Sequence, residues 1–462
     1  MFQDVMFLKN KVHNNGYLYL FIWLFLVLIF NYLLGNMHPK IVPDTESYLY
    51  LSDLETSLGV ARTPFYGMIV LLFENIFPNY IFMPWLNFLM LGISTILLFK
   101  NTRYFGLSKV ASYAISIPFS LSNIAILFMG YVHPEIISIS FVLIALSGAF
   151  VLAKFPRNLL WLILTPLFLS FAYLLKPGFI LFIFILPIFI FLLALLSDIK
   201  NLRLFLNKIL VLFILSIIPF MTYSTIRLVL VDDFHIVSFA GVNGSGLSGQ
   251  LIDQDTLLKL DIENKIIANR ILEDRLPMEE AGIILPVPIN SSNGEKIIWS
   301  SLVGYFDIHA RNYDHISKLV HSNINNDESW VSFNKRIANF NRAVIQVELK
   351  RYISYIVGAS TRFFGLLLVT NILFILSLCI LGILCMTNIN LLQKHIYKDS
   401  KIFTFEIIII FLLISLYILA NYIPSIFLAF PARRYVDTAG VFLGSIPLYL
   451  IFSIISLKKS LK

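Results

Sequence analysis

Ten stretches of the chain, near 17–35, 80–99, 109–129, 133–153, 158–175, 178–197, 207–230, 362–386, 403–428 and 437–457, consist almost wholly of apolar residues. Each is long enough to cross about 30 Å of hydrocarbon. A segment surrounded by lipid must satisfy its own backbone N–H and C=O groups, and for runs of this length that means an α-helix. The expected fold is therefore an all-α polytopic membrane protein with about ten transmembrane helices. Composition agrees, because 58% of the 462 residues are hydrophobic and only 13% are charged, against roughly a quarter charged in a soluble domain. The net charge of +8 does not point to nucleic acid. Most lysines and arginines outside the central polar region sit in short gaps between apolar runs, where they orient helices, and no basic stripe accompanies a recognition module. Cys379 and Cys385 share one apolar run and form neither a disulfide framework nor a CxxC pair.

Loop charges set the expected orientation. Lys9 and Lys11 precede a first run too long for a signal peptide and without a small-residue cleavage site, which reads as an uncleaved signal anchor. The stretch 64–77, bounded by Pro64 and Pro78 and carrying Glu74, is too short to span and reads as an interfacial or re-entrant helix. Basic residues then recur on one side: Lys100, Arg103 and Lys109; Lys154 and Arg157; Lys200, Arg203 and Lys208; Lys394, Lys398 and Lys401; Lys458, Lys459 and Lys462. That side is expected to be cytoplasmic, with both termini on it.

Three parts follow. Residues 1–230 form an N-terminal membrane region whose first outer loop covers 37–78, residues 231–355 an outer-face domain, and residues 356–462 a C-terminal membrane region. The stretch from Phe239 to Gly249 is glycine-rich and reads as a loop with a tight backbone path. It lacks the GxxxxGK[ST] pattern of a phosphate-binding loop. Helical periodicity appears at 256–280 and 328–350, and Pro286, Pro288 and 290–294 read as a loop.

On this topology four clusters face outward. They are Asp44, Glu46, Asp53 and Glu55 with Arg62; Tyr131, His133 and Glu135; Lys176-Pro177-Gly178; and Pro431-Ala432-Arg433-Arg434-Tyr435. Structural roles are open to each. Asp44 can cap a helix starting at Thr45, Glu46 can sit on a solvated helix face, His133 can cap, and Lys176, Arg433 and Arg434 can anchor spans at the interface. Glu135 lies at the edge of a span, where ionisable groups are costly and tend to be functional. Carboxylates beside cations suit transfer from a donor that leaves as phosphate: a carboxylate takes the proton of the attacking hydroxyl, and Lys and Arg stabilise the charge on the departing group. Outside the cytoplasmic membrane such a donor has to arrive in the membrane, which points to a polyprenyl-phosphate sugar.

The order of these features resembles the C-type integral-membrane glycosyltransferases, in the branch that includes protein O-mannosyltransferases and lipid A aminoarabinose transferases. Asp44 followed by Tyr48 is similar to the family's catalytic Asp in the first outer loop. Arg62-Thr63-Pro64-Phe65-Tyr66 resembles its Arg/Lys-Pro-Pro-Leu-Tyr entry to a short surface helix, with Thr63 where the first Pro would stand. Leu175-Lys176-Pro177-Gly178 is similar to its lysine turn, and Arg434-Tyr435 with Pro447 to its last motif. Many members carry an adjacent Asp-Glu pair, whereas Asp44 is followed by Thr45.

The resemblance implies a glycosyltransferase that takes a sugar from a polyprenyl-phosphate donor in the bacterial inner membrane, and the Phe-, Ile- and Asn-rich composition, which looks like that of surface-glycan cluster proteins, points to a surface glycan such as O-antigen or lipopolysaccharide as acceptor. Asp44 would be the base, with Glu135 or Glu46 positioning it or the acceptor. Arg62, Lys176, Arg433 and Arg434 would bind the donor phosphate, and Tyr48, Tyr66, His133 and Tyr435 would position substrate. The scattered acids show no metal-ligand spacing, so neither metal nor cofactor is expected. Two alternatives stay open. One is an O-antigen or capsule polymerase, which would favour the outer arginines Arg270, Arg275, Arg311, Arg336, Arg342 and Arg351. The other is a transporter or flippase for lipid-linked glycans.

Overall fold

The structure is a computed structural model that describes residues 15–49, 58–59, 62–197, 202–286, 299–322, 328–398, 400–427 and 432–460. In chain order its helices are α1 Asn15–Leu33, α2 Pro43–Leu49, α3 Phe65–Glu74, α4 Phe82–Phe105, α5 Lys109–Ser120, α6 Asn123–Phe128, α7 Glu135–Lys154, α8 Leu159–Leu175, α9 Phe182–Leu196 and α10 Leu202–Val231. There follow α11 Ala240–Leu251, α12 Gln254–Lys259, α13 Ile262–Glu280, α14 Trp299–His321, α15 Trp330–Val347, α16 Leu349–Val369, α17 Ile372–Lys398, α18 Ser400–Phe427, α19 Arg433–Ala439 and α20 Ser445–Ser460. Short 3₁₀ turns at Pro177–Leu181 and Gly440–Phe442 lead into α9 and towards α20. No strand occurs among the described residues, only an isolated parallel bridge between Lys40 and Tyr131.

The chain is an all-α membrane protein. Among the described residues eight helical segments are long and apolar enough to cross a membrane. Burial sorts them. The apolar window of α7 is 94% buried inside the chain, whereas that of α10 is 17% buried. A helix that is apolar all round belongs in an interior, so α7 forms the centre, with α4, α8 and α9 packed on it. α10 presents most of its apolar surface outward.

Two of the ten expected spans are broken helices. The run at 109–129 divides into α5 and α6 at Leu121-Ser122, where the Ser122 hydroxyl accepts a hydrogen bond from the Ala125 N–H at 3.3 Å. The run at 362–386 divides between α16 and α17 at Thr370-Asn371, and the Asn371 Oδ1 accepts from the Phe374 N–H at 3.0 Å. These two breaks and the Gly440–Phe442 turn meet. Asn123 Nδ2 donates to the Thr370 carbonyl at 2.6 Å and to Asp437 Oδ1 at 2.8 Å, while Asn371 Nδ2 donates to the Gly440 carbonyl at 2.8 Å. Hydropathy alone gives no sign of these breaks, because the groups that satisfy them lie in other helices. α8, at 17 residues, also falls below the length that the eight candidates share.

Residues 240–369 have a core of their own, built from α11 to α16 and extended by Ile426, Val436 and Ala439. α16 runs without interruption through residue 355, so no helix ends at the expected 355/356 boundary. The glycine-rich stretch is not a loop. It forms the buried helix α11, packed between α14 and α15. A Cβ at Gly246 would come within 2.7 Å of the Tyr313 ring, one at Gly249 within 2.6 Å of Ile316, and one at Gly241 would collide with the Asn334 carbonyl. The glycines therefore mark close helix approach. The carbonyls at the end of α11 are satisfied by two buried arginines: Arg275 donates to Gly249, Gln250 and Ile252, and Arg351 to Leu251. Cations suit the negative end of a helix.

The short helix expected at 64–77 is α3. Glu74 at its end accepts the backbone N–H groups of Asn79 at 2.8 Å and Tyr80 at 2.7 Å. Both residues have positive φ, 61° and 56°, so the carboxylate holds a strained turn between α3 and α4.

Candidate active site

The loops that bear chemistry are tied to one another by backbone and threonine contacts. Lys40 N–H donates to the Gly130 carbonyl at 2.7 Å, and Val132 N–H to the Lys40 carbonyl at 3.1 Å, which lays the first loop along the segment leading to α7. Thr45 is fully buried and its hydroxyl donates to the Val132 carbonyl at 3.1 Å. Asn87 on α4 holds the same segment through the Met129 carbonyl at 2.9 Å. Thr63 donates its hydroxyl to the Leu174 carbonyl at the end of α8, which brings Arg62 beside Lys176. Thr45 and Thr63 thus both join one loop to another.

α2 begins at Pro43, with the Thr45 hydroxyl accepting the Val42 N–H at 3.1 Å. Asp44 therefore lies in the first helical turn and does not cap a helix starting at Thr45. Its carboxylate instead accepts from Arg434 Nη1 at 2.5 Å, with Arg62 Nη2 at 3.7 Å and His133 Nε2 at 3.7 Å. His133, Arg434 and Arg62 beside it hold the Asp44 carboxyl well below the usual carboxylate range, against the opposing effect of burial.

His133 is buried, with Nδ1 against the Glu135 carboxylate. Burial pushes its imidazole down to about 4, with Lys176 and Arg434 acting in the same sense and Asp44 opposing them. Glu135, 1% exposed at the first position of α7, pairs through Oε1 with Lys176 Nζ at 3.0 Å. Burial lowers the Lys176 ammonium to about 7. The Glu135 carboxylate beside it works the other way and favours the charged form.

Aromatic rings frame these charges. Lys176 Nζ lies 5.5 Å from the centre of the Tyr435 ring, and Arg434 donates to the Tyr435 hydroxyl at 3.3 Å. Arg62 stacks over Tyr48 at 4.8 Å and over Phe239 at 5.5 Å. Tyr48 packs edge-on against His133 at 5.0 Å and Tyr66 at 5.5 Å. Tyr66 is buried without a partner for its hydroxyl among the described residues.

Asp44, Arg62, His133, Glu135, Lys176, Arg434, Tyr435, Tyr48 and Tyr66 thus share one site. Two expected residues stand apart: Glu46 is on the exposed side of α2, and Arg433, 62% exposed, turns to Asp437 at 3.6 Å. Asp53, Glu55 and Pro431 lie outside the described residues. Phe239, which precedes the glycine-rich helix, is the residue that sequence reasoning missed. An aromatic opening a glycine-rich stretch was its only sign. Arg227, near the end of α10, is fully buried and bound to Asp233 at 2.8 Å.

Set against models of known protein families, curated proteins and solved structures, the chain matches none of them. What the cluster can do follows from its own chemistry. The two carboxylates of Asp44 and Glu135 face the three cations Arg62, Lys176 and Arg434, an arrangement suited to an anion. Among the described residues no group of three or more His, Cys, Asp or Glu could hold a metal ion.

Proposed function

We propose that the chain is a glycosyltransferase that takes a sugar from a polyprenyl-phosphate donor and places it on a surface glycan at the outer face of the bacterial cytoplasmic membrane, with both termini in the cytoplasm. The observation that carries this reading is the ring of Arg62, His133 and Arg434 around the half-exposed carboxylate of Asp44, beside the ends of the apolar helices α7, α8 and α9. A carboxylate facing cations at a membrane edge has the parts that displacement of a lipid phosphate needs.

In the reaction, the acceptor hydroxyl attacks the anomeric carbon as the bond from that carbon to the phosphate oxygen breaks. The bonding pair leaves with the phosphate, and the hydroxyl proton passes to Asp44. Arg434, Arg62 and Lys176 stabilise the charge that grows on the departing phosphate. A single displacement inverts the anomeric centre, by the same logic as in inverting glycosidases. Glu135 keeps Lys176 charged and orients His133, which supports Asp44. Of the arginines that a polymerase would use, Arg275 and Arg351 are engaged with α11, and Arg336 pairs with Glu328 at 2.6 Å, which favours the transferase.

A second reading has a specific observation behind it. The two helix breaks and the 3₁₀ turn that meet around Asn123, Asn371, Asp437 and Gly440 resemble the discontinuous helices of transporters. The test is complementation of a deletion strain with wild type or Asp44→Asn at matched membrane levels, read by mass spectrometry of surface glycans. The transferase reading expects Asp44→Asn to lose the sugar, with transfer reduced about 10²- to 10⁴-fold. Full restoration by Asp44→Asn would remove the proposed base and favour transport.

A further inference from the structure

Every cation assigned to the donor phosphate is already paired with a carboxylate. Asp44 accepts from Arg434 at 2.5 Å and has Arg62 at 3.7 Å, and Glu135 holds Lys176 at 3.0 Å. An incoming anion therefore competes with a carboxylate for each of these cations. The two carboxylates are not equally replaceable. Glu135 is 1% exposed and wedged between His133 and Lys176, whereas the Asp44 side chain is 38% exposed on the seven-residue helix α2. Water can take over the solvation of Asp44, but a displaced Glu135 would be left buried without a counter-charge, at several times the cost.

Resting on the reading of this site as a phosphate-donor site, we propose that donor binding is an exchange of ion pairs: the lipid phosphate takes Arg434 and Arg62 away from Asp44, and this exchange frees Asp44 to act as the base. No covalent bond changes in this step. Two guanidinium groups move from a carboxylate to a phosphate, which offers oxygens in the same forked geometry and a comparable charge. The carboxylate left behind has lost the cations that suppressed its affinity for a proton, so it can accept one from the sugar acceptor. Binding is therefore ordered, donor first. Before the donor arrives, Asp44 is clamped and cannot activate water or a stray hydroxyl.

The test measures binding, not turnover, because Asp44 belongs to the proposed machinery. The detergent-solubilised full chain is titrated with farnesyl phosphate, and with farnesol as the uncharged control. Removing the competing carboxylate in Asp44→Asn or Asp44→Ala is expected to tighten farnesyl phosphate binding about fivefold, the scale of a partly exposed ion pair. Arg434→Gln is expected to weaken it. If wild type prefers farnesyl phosphate to farnesol but neither Asp44 variant binds it more tightly, the exchange is wrong and the phosphate site stands. If wild type and both variants bind farnesyl phosphate no better than farnesol, the donor reading falls and the exchange falls with it.

Discussion

Asp44 and Arg434 stand 390 positions apart in the chain and meet in a 2.5 Å hydrogen bond. The contact joins a short helix near the start of the protein to the helix that opens its last apolar segment. Around it the residues of α7 and of the α8–α9 turn are drawn into one site.

Replacing Arg434 separates its charge from its shape. Arg434→Gln is expected to lower sugar transfer by about 10²- to 10³-fold, the usual loss when one stabilising donor is removed from a transition state. Arg434→Lys should recover only part of this, since an ammonium does not reproduce the planar fork. Transfer rates in membranes with matched protein levels decide the point, and equal rates for all three proteins would remove Arg434 from the site.

The join made by Thr63 can be examined without any substrate. Its hydroxyl is buried against the Leu174 carbonyl, so Thr63→Val leaves that acceptor unpaired at a cost of about 1–3 kcal/mol. Thr63→Ser keeps the hydroxyl and should melt close to wild type. A Thr63→Val protein as stable as wild type would show that the contact does not hold the loop.

The glycines of α11 make a steric prediction. Gly246→Val puts side-chain atoms where the Tyr313 ring now lies 2.7 Å from an added Cβ, and is expected to destabilise the α11–α16 helices by about 1–3 kcal/mol. Gly282→Ala, at a site with φ of 68° and open space around it, tests backbone strain alone and should cost about 1 kcal/mol. Thermal unfolding of the two variants separates close packing from conformational freedom.

Acid should weaken one buried cluster. Burial alone would raise the Asp233 carboxyl, but hydrogen bonds from His235 and Ser238 and the charges of His235 and Arg227 outweigh it and bring the group down to about 2. A carboxyl depressed in the folded state contributes its stability above its unfolded value of about 3.9, and that contribution is lost as pH falls through the folded value. Asp233→Asn, which leaves Arg227 buried and unpaired, should cost about 3 kcal/mol near neutral pH. The gap from wild type should narrow between about pH 5 and about pH 2. A gap that does not change with pH would mean that Asp233 contributes by packing.

Much of the site was legible because its residues are conspicuous against an apolar background. Asp44, Glu135, Lys176 and Arg434 are ionisable groups at the ends of apolar runs, and alternating loop charge assigned them to one side. Arg433 and Arg434 could not be told apart in the same way, because they are neighbours and only the course of α19 turns one to Asp44 and the other to Asp437. The helix breaks were hidden for a different reason. Asn123 and Asn371 are ordinary polar residues until their partners, 314 and 69 positions away, are in place. The glycines of α11 suggested a loop because low helix propensity speaks before packing does, and close contact with α14 and α15 overrides it.

The pairing of Asp44 with Arg434 also bears on how the protein is made. A ribosome has to release the chain through Arg434 before the second partner exists. Until then the first loop carries its acid without the guanidinium that later restrains it. Truncated products that stop before Arg434 therefore cannot hold a complete site, and the activity proposed here would belong only to chains extended past that residue.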